Sequence, residues 1–123
     1  AVYTPGPVAP LAQATLANFA HSHQYAISGA NWADLQVRGV DKGRAVRDLQ
    51  RFLGVTREQT AVFGDAGNDL SMMSEGDLSF AMANASPDVV EAARFVAPSN
   101  NEAGVAQVLR VLLGDDPLVK DRL

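Results

Sequence analysis

The spacing of apolar residues along the chain changes near Gly39. After this point short apolar runs predict three strands, over residues 60–63, 78–82 and 94–97. Between and after these runs the pattern predicts helices over residues 69–74, 87–93 and 102–113, with Ser86 as the cap of the second. Buried strands that alternate with helices are typical of a parallel α/β sheet.

The clearest helical pattern follows Asp41. Its apolar positions recur at the spacing of one helix face and are Ala45, Val46, Leu49, Phe52 and Leu53. Asp41 is a favourable N-cap, and Gly54 is a favourable residue for ending the helix. Residues 56–59, Thr-Arg-Glu-Gln, match a capping box and predict a further short helical turn.

The first 39 residues have a different pattern, which predicts one helix followed by a hairpin. Residues 1–7 are rich in Pro and Gly and indicate an extended linker before a helix over residues 10–20, which residues 21–24 end. Strict alternation over residues 33–38 is typical of a half-buried strand, with a partner strand at 25–28. We therefore expect a domain boundary near residue 39, a second domain over residues 40–114, and a charged, loose tail at 115–123.

Composition excludes several function classes. The 123-residue chain has 47% hydrophobic residues and a net charge of −4, which argues against binding to the nucleic-acid backbone. It has no Cys, so disulfides, thiolate metal sites and a cysteine nucleophile are excluded. No apolar run approaches the roughly 20 residues of a membrane span. Without a recognisable secretory signal, we expect a cytoplasmic protein that interacts with neither membranes nor nucleic acid.

The main candidate for chemistry is the segment from Gly64 to Asp69, Gly-Asp-Ala-Gly-Asn-Asp, which follows a predicted buried strand. Ligands of open α/β sheets bind beyond the carboxyl ends of the strands, where Asp65 lies. Asp65 and Asp69 would repel each other unless a cation or hydrogen-bond donors compensated their charges. Oxygen ligands favour Mg²⁺. Alternatively, both carboxylates simply cap the turn and the helix, and spacing alone leaves this open.

Two further segments carry weaker signals. Lys42 falls in the first turn of a predicted helix, where the helix dipole disfavours a cation, so a bound anion would explain it. Gly43 would let that anion approach closely, although an ordinary solvated lysine is the alternative. Asn84 follows the second predicted strand and either orients the acidic loop or simply forms a turn.

The order of these motifs resembles the haloacid dehalogenase (HAD) superfamily of phosphatases. In particular it resembles Cof-type, sucrose-phosphate phosphatase-like enzymes with a large α/β (class IIB) cap. The motifs are Lys42-Gly43, Gly64-Asp65-x-x-Asn68-Asp69, Met82-x-Asn84-Ala85 and Gly104-Val105-Ala106. The resemblance implies the C-terminal part of a Rossmann-like core, preceded by the last αββ piece of the cap.

The resemblance also implies roles for individual residues. Lys42 would stabilise the nucleophile and the phosphate charge, whereas Asp65 and Asp69 would bind Mg²⁺ directly or through water. Asn68 would contact the phosphate, and Gly43 and Asn84 complete the candidate substrate-binding set. The implied substrate is a small phosphomonoester such as a sugar phosphate, hydrolysed through an aspartyl-phosphate intermediate.

One part of the family pattern is missing. No D-x-D-x-T/V nucleophile motif occurs in these 123 residues, so we expect the chain alone to be inactive. The strand at residues 60–63 would also lose its neighbour and expose an edge to the N-terminal half or to a second copy of the chain. Two other hypotheses are a non-catalytic module that acts in binding or assembly and a small enzyme that uses Asp65 as its nucleophile by other chemistry.

Overall fold

The computed structural model, which describes residues 1–114, contains two separate three-stranded sheets. The strands are β1 (Val2–Tyr3), β2 (His23–Gly29), β3 (Trp32–Val37), β4 (Ala61–Gly64), β5 (Leu78–Met82) and β6 (Phe95–Ala97). The helices are α1 (Val8–Thr15), α2 (Lys42–Leu53), α3 (Leu70–Met73), α4 (Pro87–Ala92) and α5 (Gly104–Leu113). Short 3-10 turns occupy Leu16–Phe19, Arg57–Gln59, Gly67–Asp69 and Asn100–Glu102.

Among the described residues, none of the helices has the length and apolar character needed to cross a membrane. The predicted tail at 115–123 lies outside the described residues.

The first sheet is antiparallel, in the order β1-β3-β2, and contains the predicted hairpin. The interpretation of residues 1–7 as a linker was incomplete, because Val2–Tyr3 pairs with β3 as an edge strand. The amide of Asn31 fixes this strand by donating to the carbonyls of Thr4 (3.0 Å) and Gly6 (2.9 Å). The helix that follows begins at Val8 rather than at residue 10. These contacts come from distant residues, so the local Pro-Gly pattern could not indicate them.

Helix α1 covers one face of this sheet. The buried core between them consists of Val8, Ala12, Leu16 and Ala33. The opposite face carries an exposed aromatic pair, Tyr3 and Trp32, whose ring centroids lie 4.9 Å apart. The division of the chain into two domains near Gly39 stays a prediction.

The second sheet is parallel, in the order β4-β5-β6, which confirms the α/β interpretation of the later sequence. One face packs beneath the helices through Val62, Ala81 and Val89. The other face carries a stacked row of rings from neighbouring strands. The centroid of Phe80 lies 5.0 Å from that of Phe63 and 5.3 Å from that of Phe95.

Strand β4 is an edge of this sheet in residues 1–114, and α2 lies on its outer side. Helix α3 packs against β4, α4 and α2, so α2 ends the helical layer beyond the free edge. The predicted apolar stripe of α2 is therefore mostly uncovered. Val46 is half-buried, whereas Leu49, Phe52 and Leu53 are exposed, Phe52 by 85%.

Close packing between α2 and α3 fixes the start of α2. Gly43 is buried, and a Cβ atom placed on it would lie 2.2 Å from the backbone oxygen of Ser71. The backbone N–H of Gly43 also donates to Ser71 Oγ at 3.0 Å. A glycine is needed here because the backbones of the two helices approach so closely.

We predict that Gly43→Ala lowers the free energy of unfolding by about 1–3 kcal/mol, because the added methyl group forces α2 and α3 apart. Urea denaturation followed by circular dichroism measures this loss. Gly6→Ala is the matched control, because nothing lies within 4 Å of the Cβ position there. Equal stability of the two variants would contradict the packing argument.

Candidate active site

The buried carboxylate of Asp69 is the centre of the candidate site. Asp69 is 4% exposed, and its Oδ1 atom pairs with the ammonium group of Lys42. Its Oδ2 atom accepts hydrogen bonds from the backbone N–H groups of Asp65 (2.9 Å) and Ala66 (3.2 Å). Both carboxylate oxygens are thus engaged by the protein, as a buried charge requires.

Helix α2 brings Lys42 to this carboxylate. Asp41 caps the helix as predicted, and its side chain accepts a hydrogen bond from Arg44 N at 2.8 Å. That hydrogen bond holds the pKa of Asp41 below its ordinary value. Lys42 is the first helical residue, where the helix dipole disfavours its charge, and the carboxylate of Asp69 compensates for it. The unusual position of the lysine therefore has an internal anionic partner.

Strand β4 ends in a glycine because Asp69 folds back over it. A Cβ atom on Gly64 would lie 2.6 Å from Asp69 Cβ and 2.5 Å from Met73 Cε. Any larger residue would displace the acidic side chain from the loop amides. Gly64 thus allows a carboxylate five residues later in the chain to return to the end of the strand.

Burial and hydrogen bonding act in opposite directions on the pKa of Asp69. Burial raises this pKa, but the hydrogen bonds from Lys42 and from the backbone of Asp65 and Ala66 outweigh it, and the pKa is lowered overall. The carboxylate is therefore charged at neutral pH.

Asp65 lies at the carboxyl end of β4 but in a different environment from Asp69. Asp65 is exposed, and its backbone carbonyl accepts a hydrogen bond from Ser86 N at 2.9 Å. Its side chain has no salt-bridge partner within residues 1–114. The two carboxylates are thus unlike: one is held inside the protein and the other can take a ligand.

The donor set for Mg²⁺ is incomplete in the described part of the chain. Residues 1–114 contain no group of three acidic or histidine side chains that could hold a metal ion. Asp65 is a suitable oxygen ligand, whereas the oxygens of Asp69 are already engaged. Six-coordinate Mg²⁺ would need water, substrate or protein oxygens from outside this set.

The remaining predicted residues lie in different surroundings. Asn68 is half-buried in the loop beside Asp69. Gly43 packs against Ser71 and uses its N–H there, so its structural role is in helix packing. Asn84 is exposed, and its Oδ1 atom accepts a hydrogen bond from Asn100 N at 3.1 Å, which joins two loops. Substrate contact by these residues stays a prediction.

The first sheet approaches the acidic loop. The carbonyl oxygen of Ile27, on β2, lies 3.9 Å from the position of a Cβ atom on Gly67. Strand β2 thus runs beside the turn that carries Asn68 and Asp69. A ligand at Asp65 would lie near the junction of the two sheets.

Sequence reasoning missed two residues that support this site. Ser71 accepts from Gly43 N and so couples α3 to the start of α2. Ser86, predicted only as a helix cap, makes no side-chain cap hydrogen bond but donates its N–H to Asp65 O. An isolated serine has no distinctive spacing, so neither contact could be predicted from the sequence.

Comparison with known proteins identifies the class. Residues 2–109 match the family described as haloacid dehalogenase-like hydrolase, and the chain belongs to this family. The expected resemblance is confirmed. The chain is 42% identical over 86 residues to the 5-amino-6-(5-phospho-D-ribitylamino)uracil phosphatase YbjI of Escherichia coli K12. It is 38% identical over 80 residues to the phosphatase YwpJ of Bacillus subtilis 168.

Comparison with solved structures also finds proteins of similar fold. SMU.1108c of Streptococcus mutans UA159 has a TM-score of 0.80 and 32% identity, over 89% of this chain and 43% of that one. The HAD subclass IIB sugar phosphatase BT4131 has a TM-score of 0.72 and 25% identity, over 84% of this chain and 40% of that one.

The chain matches only part of these proteins. The matched regions cover 70% of this chain but 32% of YbjI, and 65% of this chain but 28% of YwpJ. The chain therefore spans about a third of the length of the curated relatives.

We predict that Asp69→Asn costs about 1–3 kcal/mol of unfolding free energy at pH 7, because Lys42 loses its charged partner. Asp69 has a lowered pKa in the folded state, so its contribution is complete above its ordinary pKa of 3.8 and is lost as pH falls through the folded value. The difference between wild type and variant should thus be constant down to about pH 5 and shrink below about pH 4.

Urea titrations at several pH values in the presence of EDTA measure this difference. Asp88→Asn, an exposed aspartate in the first turn of α4, is the control. A difference between Asp69→Asn and wild type that persisted unchanged to pH 2 would contradict the proposed ion pair.

Proposed function

We propose that this chain forms the C-terminal part of a Mg²⁺-dependent phosphomonoester hydrolase and provides its lysine and acidic loop. The observation that carries the proposal is the arrangement at the carboxyl end of β4. There Lys42 is held by buried Asp69 while Asp65 remains exposed. Phosphoryl transfer depends on positioning and on stabilising negative charge, and this arrangement supplies fixed groups for both.

Lys42 is the proposed phosphate-binding cation. Its side chain is 49% exposed although its ammonium group pairs with Asp69, so part of it faces solvent and can take an anionic ligand. The pair keeps the ammonium group in place before substrate binds, which reduces the cost of ordering it. Asn68, and by the family pattern Gly43 and Asn84, are the further proposed substrate contacts.

Asp65 is the proposed direct ligand of Mg²⁺. The bound ion would neutralise charge on the phosphoryl group. Asp69, whose oxygens bind Lys42 and the loop amides, would act on the ion only through water or through the position of the loop. The remaining ligands would come from water, from substrate or from a part of the enzyme outside this sequence.

The nucleophile is the group that this chain lacks. Because no D-x-D-x-T/V motif is present, we propose that an aspartate from an N-terminal segment attacks the phosphorus atom. The bond from phosphorus to the substrate alcohol breaks as the aspartyl-phosphate forms, and water then hydrolyses this intermediate to release phosphate. Strand β4 offers a free edge for that segment, and the uncovered residues of α2 lie beyond the same edge. A second copy of the chain is the alternative partner at this edge.

The names of the relatives indicate a broad class of substrate. YbjI acts on a phosphorylated ribitylaminouracil, and BT4131 is a sugar phosphatase. Both names describe small phosphomonoesters with a polyhydroxylated group, so we propose a substrate of this kind. A non-catalytic module remains the second candidate, supported by the missing nucleophile motif alone.

We predict that the chain alone does not hydrolyse p-nitrophenyl phosphate in the presence of Mg²⁺. A longer protein that carries an upstream D-x-D-x-T segment should be active, and Lys42→Gln should lower its kcat about a hundredfold or more, as loss of one fixed electrostatic donor does. Phosphate release measures both. Robust turnover by the 123-residue chain that Asp65→Ala abolishes would disprove the assignment of the nucleophile to another segment. An inactive longer protein would favour the non-catalytic module.

We also predict that Mn²⁺, used as a paramagnetic substitute for Mg²⁺, broadens the amide resonances of residues 65–67 in the chain. Asp65→Asn should abolish this broadening, because it removes the exposed carboxylate. Asp88→Asn, a matched surface change, should leave it intact. Equal broadening in all three proteins would show that Asp65 is not the ligand.

The exposed stripe of α2 gives a separate prediction. Phe52→Lys should reduce self-association of the chain, because the 85% exposed ring is replaced by a charge. The free energy of unfolding should change by no more than about 0.5 kcal/mol, as is usual for surface changes. Sedimentation velocity and urea titration measure the two effects. Unchanged association would exclude this stripe as a contact surface between copies.

A further inference from the structure

A cavity of about 410 Å³ lies at the far end of α2, away from the acidic loop. It is open to solvent and is lined by the last two turns of α2, by the residues that lead to β4 and by Glu75 after α3. Its lining on α2 runs from Arg47 to Gly54, which lie about 8 Å and 18 Å along the helix from Lys42. It therefore belongs to a different part of the molecule.

Positive charge dominates the residues that line this cavity. Arg47, Arg51 and Arg57 contribute guanidinium groups, whereas Glu75 is the single acidic residue among those that line it. The side chain of Glu75 is 13% exposed and pairs with Arg47. Arg51 and Arg57 keep exposed fractions of 75% and 56%.

The carboxylates that pair with two of these arginines are not part of the cavity lining. Arg51 donates to Asp48 at 2.9 Å, and Arg57 donates to Asp77 at 3.3 Å. A guanidinium group has five N–H donors, so each arginine retains donors that one carboxylate does not use. These two side chains come from different elements, the last turn of α2 and the turn at Arg57–Gln59, and converge on one concave surface.

We propose that this cavity binds a small phosphorylated molecule, with its phosphate group between Arg51 and Arg57. Guanidinium groups bind phosphate through paired, charge-assisted hydrogen bonds, for which these exposed arginines are well suited. The concavity is open to solvent, and its volume leaves room for an organic group beside the phosphate. The site is independent of the hydrolase site, because it shares no residue with it.

The test is an amide NMR titration of the 123-residue chain with inorganic phosphate, at constant ionic strength set with NaCl. We expect saturable shifts of the resonances of residues 50–57 and 75. Arg51→Gln and Arg57→Gln should each weaken this binding about tenfold, as expected for loss of charge-assisted hydrogen bonds. Arg57→Lys, which keeps the charge but loses the paired donors, should give an intermediate dissociation constant. Arg47 is left unchanged, because its removal would leave nearly buried Glu75 without its partner.

Two controls separate this site from the hydrolase site. Arg44→Gln removes the same charge from α2, but Arg44 donates to the Gly39 carbonyl and does not line the cavity, so binding should be unaffected. Lys42→Gln should abolish phosphate-induced shifts near residues 65–69 and leave those of residues 50–57. The proposal is overturned if the shifts occur only near Lys42, if they do not saturate, or if Arg44→Gln weakens binding as much as Arg57→Gln.

Discussion

The ion pair between Asp69 and Lys42 is the constraint on which the rest of the site depends. A nearly buried carboxylate is stable only when each oxygen has a donor, and here the donors come from α2 and from the loop after β4. The pair therefore fixes the start of a helix against the end of a strand. Gly43 allows the close backbone contact with Ser71, and Gly64 leaves room for the side chain of Asp69. Because the charges compensate inside the protein, the exposed Asp65 is the carboxylate of the loop that remains available for a ligand.

Helix and strand boundaries that depend on neighbouring residues in the chain were predicted correctly from the sequence. Asp41 caps α2 through its own side chain, and Gly54 ends the helix in a left-handed conformation (φ = 67°), so both boundaries were readable from the sequence. The parallel sheet was likewise predicted from short apolar strands alternating with helices. The β1 strand was not, because its hydrogen-bond partners lie some 30 residues away in β3 and in Asn31. A Pro-Gly segment has no local feature that distinguishes a free linker from a paired edge.

The candidate active site could likewise be predicted only in part. The strand-end rule of α/β sheets predicted that Asp65 and Asp69 lie together at a ligand-binding edge. Only the resemblance to the family implied that Lys42 joins them. It could not predict that the two carboxylates would differ, since spacing treats them as equals. Their difference arises from tertiary contacts: the Asp69 side chain folds back over Gly64 onto the loop amides, whereas Asp65 is exposed. For Gly43 the observed contact is close packing on Ser71, which depends on how α2 and α3 meet.

The uncovered stripe of α2 and the free edge of β4 have a common explanation. An amphipathic stripe is normally buried, yet Leu49, Phe52 and Leu53 are exposed, and in residues 1–114 the neighbouring strand β4 has a partner on one side only. A parallel strand added to this edge would lie about 4.8 Å from β4 and end at the same carboxyl edge. A residue just after that strand would then lie beside Asp65. One segment at this edge would therefore cover the α2 stripe, which is exposed in residues 1–114, and would also bring a residue to the proposed site.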